Sequence, residues 1–120
     1  MSKILIADDE EEAVEVLTDF LSDLGHATAA ALNGEEAIDF LRSDAFDILI
    51  LDLHMPRVSG EGVLQALQTH SPSTKVVITT GYSDNSNIKT RMKQYDIEYY
   101  LEKPIDLMQL EMIIARIEKP

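Results

Sequence analysis

Three runs of consecutive apolar residues, Ile4–Ala7, Ile48–Leu51 and Val76–Ile78, each stop abruptly at polar side chains, and residues of helical spacing follow each of the first two directly. A strand with one wet face alternates apolar and polar residues; these runs do not alternate. Both faces must therefore be covered, which is the condition of a parallel sheet whose crossover helices pack on either side. The runs end at Asp8-Asp9, at Asp52 and at Thr79-Thr80-Gly81, and a fourth apolar stretch, Tyr99-Tyr100-Leu101, runs out through Glu102 into Lys103-Pro104. In parallel strands all of these groups reach the same edge of the sheet.

The rest of the chain supplies the alternating helices. Ala13, Val14, Val16, Leu17, Phe20, Leu21 and Leu24 recur at helical spacing, with Gly25 as a stop. Residues 26–31 read as a weak, alanine-rich second strand. Asn33 reads as an N-cap with Glu36 three residues on, opening a helix that buries Ala37, Ile38 and Leu41. Val63, Leu64 and Leu67 mark a third helix after a Pro56/Gly60 loop. The helix expected after the fourth strand (75–79) is the poorest: Asp84-Asn85-Ser86-Asn87 has low propensity, and only Ile88, Met92 and Tyr95 offer a stripe. A short strand at 97–101 and a last helix carrying Leu107, Leu110, Ile113, Ile114 and Ile117 complete five β-α units. The expected fold is α/β, one domain over residues 1–120 with no output domain.

Charge narrows the function. The net charge is −12 in 120 residues, and residues 1–61 hold 15 acidic against 3 basic side chains, whereas residues 62–120 hold 7 of each. Such a chain repels nucleic acid and anionic membranes, so no direct nucleic-acid or membrane binding is expected. The neutral half is the better surface for a protein partner. There is no cysteine, hence no disulfide framework, thiolate nucleophile or cysteine zinc site. Lacking a leader and any apolar run of spanning length, the chain is expected in the cytoplasm.

Three carboxylates, a hydroxyl and an ammonium at one sheet edge suit a divalent cation and a phosphoryl group. Asp52 is the candidate nucleophile, its carboxylate attacking phosphorus to leave an acyl phosphate. An anionic donor approaches several carboxylates only if their charge is cancelled, and a hard cation with oxygen ligands, Mg²⁺ or alternatively Mn²⁺, does this. Separately, each group has a plain structural role: Asp8 and Asp9 as helix caps, Lys103 as a surface charge, Thr80 as a strand residue. Their joint arrival at one edge argues for the site.

Asp8-Asp9, the stretch from Asp52 through Pro56 to Gly60, Thr80-Gly81-Tyr82, and Tyr100-Leu101-Glu102-Lys103-Pro104 together resemble a response-regulator receiver domain, over essentially the whole chain. The resemblance implies a five-stranded parallel sheet of order 2-1-3-4-5 with helices on both faces. It implies Mg²⁺ ligation by Asp9, Asp52 and the backbone carbonyl of His54, with Asp8 acting through water. Lys103 and the Thr80 hydroxyl would hold phosphoryl oxygens, Gly81 would keep the mouth of the pocket open, and Lys103-Pro104 would be a cis bond. Thr80 is preferred to Thr79 because Gly81 follows it.

The implied function is that of a two-component phosphoacceptor, receiving a phosphoryl group from a phosphohistidine or a small phosphodonor. Its partners would be a sensor histidine kinase or phosphotransfer protein and a downstream effector, the chain being a monomer or a phosphorylation-dependent dimer. It would catalyse only its own phosphorylation and dephosphorylation. Thr80 and Tyr100 would act as the switch, Tyr100 turning inward to reshape the face built from the 84–95 helix, the last strand and the last helix, with Lys89, Arg91, Lys93, Met108 and Met112 on it. The His54 side chain would overhang the phosphoryl group and set the acyl-phosphate lifetime; His26 and His70 read as structural or exposed. Tyr95-Asp96 and Ile105 stand where the family commonly has Gly-Ala and phenylalanine.

Three other readings are weaker. An aspartate-nucleophile phosphohydrolase needs a second aspartate two residues after the nucleophile, where this chain has His54. A flavodoxin-like carrier needs a phosphate loop after strand one, where this chain has acids. A phosphorylation-independent interaction module has no use for Asp52.

Overall fold

The computed structural model describes residues 1–55, 57–81, 90 and 92–119. Five strands, β1 (Lys3–Ala7), β2 (Ala27–Ala31), β3 (Ile48–Asp52), β4 (Lys75–Thr80) and β5 (Tyr99–Glu102), form one sheet. Every pairing is parallel and the order is β2-β1-β3-β4-β5. Among the described residues the α-helices are α1 (Glu11–Asp23), α2 (Gly34–Ser43), α3 (Gly60–His70) and α4 (Leu107–Glu118). None of them is long and apolar enough to cross a membrane.

The unalternating runs are explained by a core on each face of the sheet. Leu5, Ala7, Leu49, Leu51, Val76 and Ile78 face α2 and α3 through Ala37, Leu41, Val63, Leu64 and Leu67. Ile4, Ile6, Ile48, Ile50, Val77 and Leu101 face α1 and α4 through Val14, Leu17, Leu21, Leu110 and Ile114. Each fully buried aliphatic side chain contributes about 1.5–3 kcal/mol, so the central strands are committed on both sides. The alanine-rich β2 takes the edge, where only Ala31 is buried.

Local signals set the helix starts. Asn33 Oδ1 accepts the Glu36 N–H at 2.9 Å, and Glu36 reaches back to the N–H of Leu32 rather than that of the cap residue. Ser59 caps α3 through the N–H of Gly62, and Asp106 caps α4 through the N–H groups of Met108 and Gln109. Most of the helix expected over 84–95, with Ile88, Lys89 and Arg91, lies outside the described residues, as do Pro56 and Tyr82. Its visible end contributes Met92, fully buried, and a 3₁₀ turn at Lys93–Tyr95. Asp96 closes that turn at φ 58°. The left-handed region is one that aspartate tolerates better than most non-glycine residues.

His26 is buried and its Nδ1 accepts the Ser2 N–H, whereas His70 is exposed at the end of α3. Met108 and Met112 are exposed on α4.

Candidate functional site

The sheet order changes direction between β1 and β3, and the crevice beyond their carboxyl ends is where α/β sheets of this kind hold ligands. Strand alternation decides what enters it. Ile4 and Ile6 share one face of the sheet with Ile48, Ile50 and Leu101, so Asp8, Asp52 and Lys103, each two residues further on, continue on that same face. The result is a charged knot made of three chain segments. Lys103 Nζ lies 2.9 Å from Glu10 Oε1, 3.0 Å from Asp8 Oδ2 and 3.1 Å from Asp52 Oδ2.

Asp52 is pinned at both oxygens. Its Oδ1 accepts the His54 N–H at 3.0 Å and its Oδ2 accepts from Lys103. The side chain is only 5% exposed, and burial pushes its pKa above the ordinary value; the His54 N–H and Lys103 oppose this, and the Asp8 charge adds to it. Burial also pulls Lys103 down, but Glu10, Asp8 and Asp52 outweigh it and hold the ammonium well above the usual lysine value.

Asp8 directs Oδ1 at the Glu10 N–H, 2.9 Å away. Its buried Oδ2 has no hydrogen bond among the described residues; the contact with Lys103 is an ion pair without hydrogen-bond direction. Paired with an ammonium and still short of directed hydrogen bonds, this carboxylate oxygen is suited to a metal cation. Oxygens of Asp8, Glu10 and Asp52 all lie within 4.8 Å of one another. This hard, all-oxygen donor set fits Mg²⁺.

Asp9 stands exposed in the bend after β1 and takes no part in this cluster among the described residues. Glu10 does, a residue to which the sequence pattern gave no part in the site. α1 begins at Glu11 and Glu10 is its N-cap, yet its carboxylate caps nothing and turns to Lys103 instead, a choice no sequence signal marks. His54 is exposed beside Asp52.

On β4, Thr79 pairs in register with Asp52, and its hydroxyl donates to the Leu51 carbonyl at 3.4 Å. Thr80 lies one residue on, facing the other side of the sheet, and its carbonyl accepts the Lys103 N–H. Tyr100 is on that side as well, packed against the α2/α3 core, with a long 3.5 Å contact from its hydroxyl to the Ile97 carbonyl. Gly81 is half-buried at the strand end, and the Lys103-Pro104 peptide bond is cis.

Comparison with known proteins agrees with this architecture. The family described as the response regulator receiver domain matches residues 4–115. The response regulator protein PilR of Pseudomonas aeruginosa is 32% identical over 113 residues, 94% of this chain and 25% of PilR. A probable transcriptional regulator, ycf27 of Cyanidium caldarium, is 32% identical over 95% of this chain and 45% of its own length. The chain therefore spans a quarter to about half of such relatives. Among solved structures, a response regulator receiver domain protein from Clostridium thermocellum superposes with a TM-score of 0.87 at 28% identity, covering 98% of this chain and 94% of that one. The response regulator TrrA of Thermotoga maritima, solved with Mg²⁺ and BeF, gives 0.83 at 27% identity, covering 98% and 99%.

Proposed function

Because the chain belongs to the response-regulator receiver domain family, a family of phosphoacceptor signalling domains, we propose that Asp52 is its phosphoacceptor and that residues 1–120 form one receiver domain. The observation that carries this is the convergence of a buried Asp52 carboxylate, held at both oxygens, with Asp8 and the Lys103 ammonium. Asp9, Asp52 and the His54 backbone carbonyl would ligate Mg²⁺ directly and Asp8 through water, with Asp9 turning in from outside the Asp8/Glu10/Asp52 cluster; that acidic cluster and the Mg²⁺ in TrrA support a cation here. When bound, Mg²⁺ supplies the positive charge that lets an anionic donor approach.

The residues then divide the work. An Asp52 oxygen attacks the donor's phosphorus; the bond from phosphorus to the leaving group breaks, and that group departs with the electron pair. Lys103 pairs with a phosphoryl oxygen, and the Thr80 hydroxyl donates to another. The product adds about 1.5 to 2 negative charges at the sheet edge. Thr80 and Tyr100, on one side of the sheet, carry the change to the face that includes β5 and α4. A phosphohistidine-bearing kinase or phosphotransfer protein is the donor partner and an effector protein or domain the recipient. The chain turns over no substrate beyond its own acyl phosphate, and contact with DNA, if the protein makes any, lies outside this acidic domain.

The test is intact mass after incubation with acetyl phosphate and Mg²⁺. An alkali-labile gain of one phosphoryl group, lost in Asp52→Ala and without metal, is expected. A gain that persists in Asp52→Ala refutes the assignment.

A further inference from the structure

Glu10 shares the oxygen cluster with Asp8 and Asp52 but stands outside the proposed ligand set, and it makes the shortest of the three contacts to the Lys103 ammonium, at 2.9 Å. Its backbone is fixed by Asp8, and its carboxylate, 65% exposed, is the outermost of the three. The inner two are committed once the site is in use: Asp8 to the cation, and Asp52 to the phosphorus. Of these three carboxylates, Glu10 is the one left facing Lys103. We propose that Glu10 is a positioning residue that holds the Lys103 ammonium on the α1 side of the pocket, competing with the phosphoryl oxygen and so weakening the phosphorylated state. This inference rests on the phosphoacceptor reading of Asp52.

The consequence is a brake on the phosphorylated state. Hydrolysis occurs when water attacks phosphorus, the Asp52 carboxylate leaves with the bonding pair, and the proton released by water goes to solvent or phosphate. Lys103 drawn toward Glu10 leaves the phosphoryl oxygens less neutralised, and formation of the acyl phosphate suffers in the same way. The scale is that of a solvent-exposed ion pair, about two- to fivefold in equilibrium.

Beryllofluoride with Mg²⁺ serves as the phosphoryl mimic, with affinity read from thermal shift. Glu10→Gln should bind it about two- to fivefold more tightly than the wild type. Glu10→Asp, which keeps the charge but loses the reach, should follow Glu10→Gln. Glu11→Gln, an equal loss of charge on an exposed neighbour, should match the wild type. In a Lys103→Ala background the Glu10→Gln gain should vanish, as a pairwise coupling requires. The proposal is overturned if Glu10→Gln binds like the wild type, if Glu11→Gln gives the same gain, or if the gain survives without Lys103. Wild-type protein that binds no beryllofluoride and takes up no phosphoryl group overturns the phosphoacceptor reading itself, a different result from any of these.

Discussion

Lys103 Nζ stands 3.1 Å from Asp52 Oδ2 across 51 residues of chain. β3 and β5 are not neighbours; β4 lies between them. The contact exists because both side chains leave the sheet on the α1/α4 face and lean over the end of β4, whose Thr79 uses its hydroxyl on the Leu51 carbonyl instead. The same closeness gives the site its measurable properties.

Burial raises the Asp52 pKa, so the native state holds that proton more tightly than the unfolded chain does. Stability from this group is then lost as pH rises from the ordinary carboxylate value of 3.8 through the raised native value. Asp52→Asn removes the cost. In metal-free buffer its urea midpoint should exceed that of the wild type at neutral pH, and the two should converge below the ordinary value. Equal midpoints at neutral pH would refute the raised pKa.

Added Mg²⁺ should raise the melting temperature, because the cation binds only the folded arrangement of Asp8 and Asp52. At a free concentration of about one hundred times Kd the gain is about 2.7 kcal/mol. Asp8→Asn should lose most of it, since Asp8 Oδ2 is the buried oxygen without a hydrogen bond. Full retention of the shift in that variant would place the cation elsewhere.

His54 stands exposed next to the Asp52 carboxylate that its own N–H fixes. His54→Ala keeps that N–H and removes only the imidazole. Loss of phosphoryl mass over time should change in rate by roughly tenfold, about 1.4 kcal/mol of barrier. An unchanged rate would confine His54 to its backbone role.

Gly34, the first residue of α2, is pressed against the loop that follows Asp52: an added Cβ would sit 2.2 Å from the Val58 carbonyl oxygen. Backbone cannot yield as a side-chain tip can. Gly34→Ala should therefore cost about 1–3 kcal/mol in urea unfolding, and a stable variant would show that this loop is free to move.

The layer architecture was legible in the residues alone, because apolar runs without alternation admit only a sheet covered on both faces. So was the arrival of Asp8, Asp52, Thr80 and Lys103 at one sheet edge, because parallel strands end together. The helix starts at Asn33 and the helix body from Leu107 were legible for a local reason: caps and 3.6-residue periodicity act within a few neighbours.

Tertiary structure alone decided which acid meets Lys103. Asp8, Asp9, Glu10, Glu11 and Glu12 are alike as letters, and only the exit direction from β1 and the bend before α1 separate the buried Asp8 and the reaching Glu10 from the exposed Asp9. Likewise the strand face separates Thr79 from Thr80, and the depth of α4 in the core leaves Met108 and Met112 in solvent. Charge and hydropathy are properties of residues, whereas distance and burial belong to pairs brought together from remote parts of the chain.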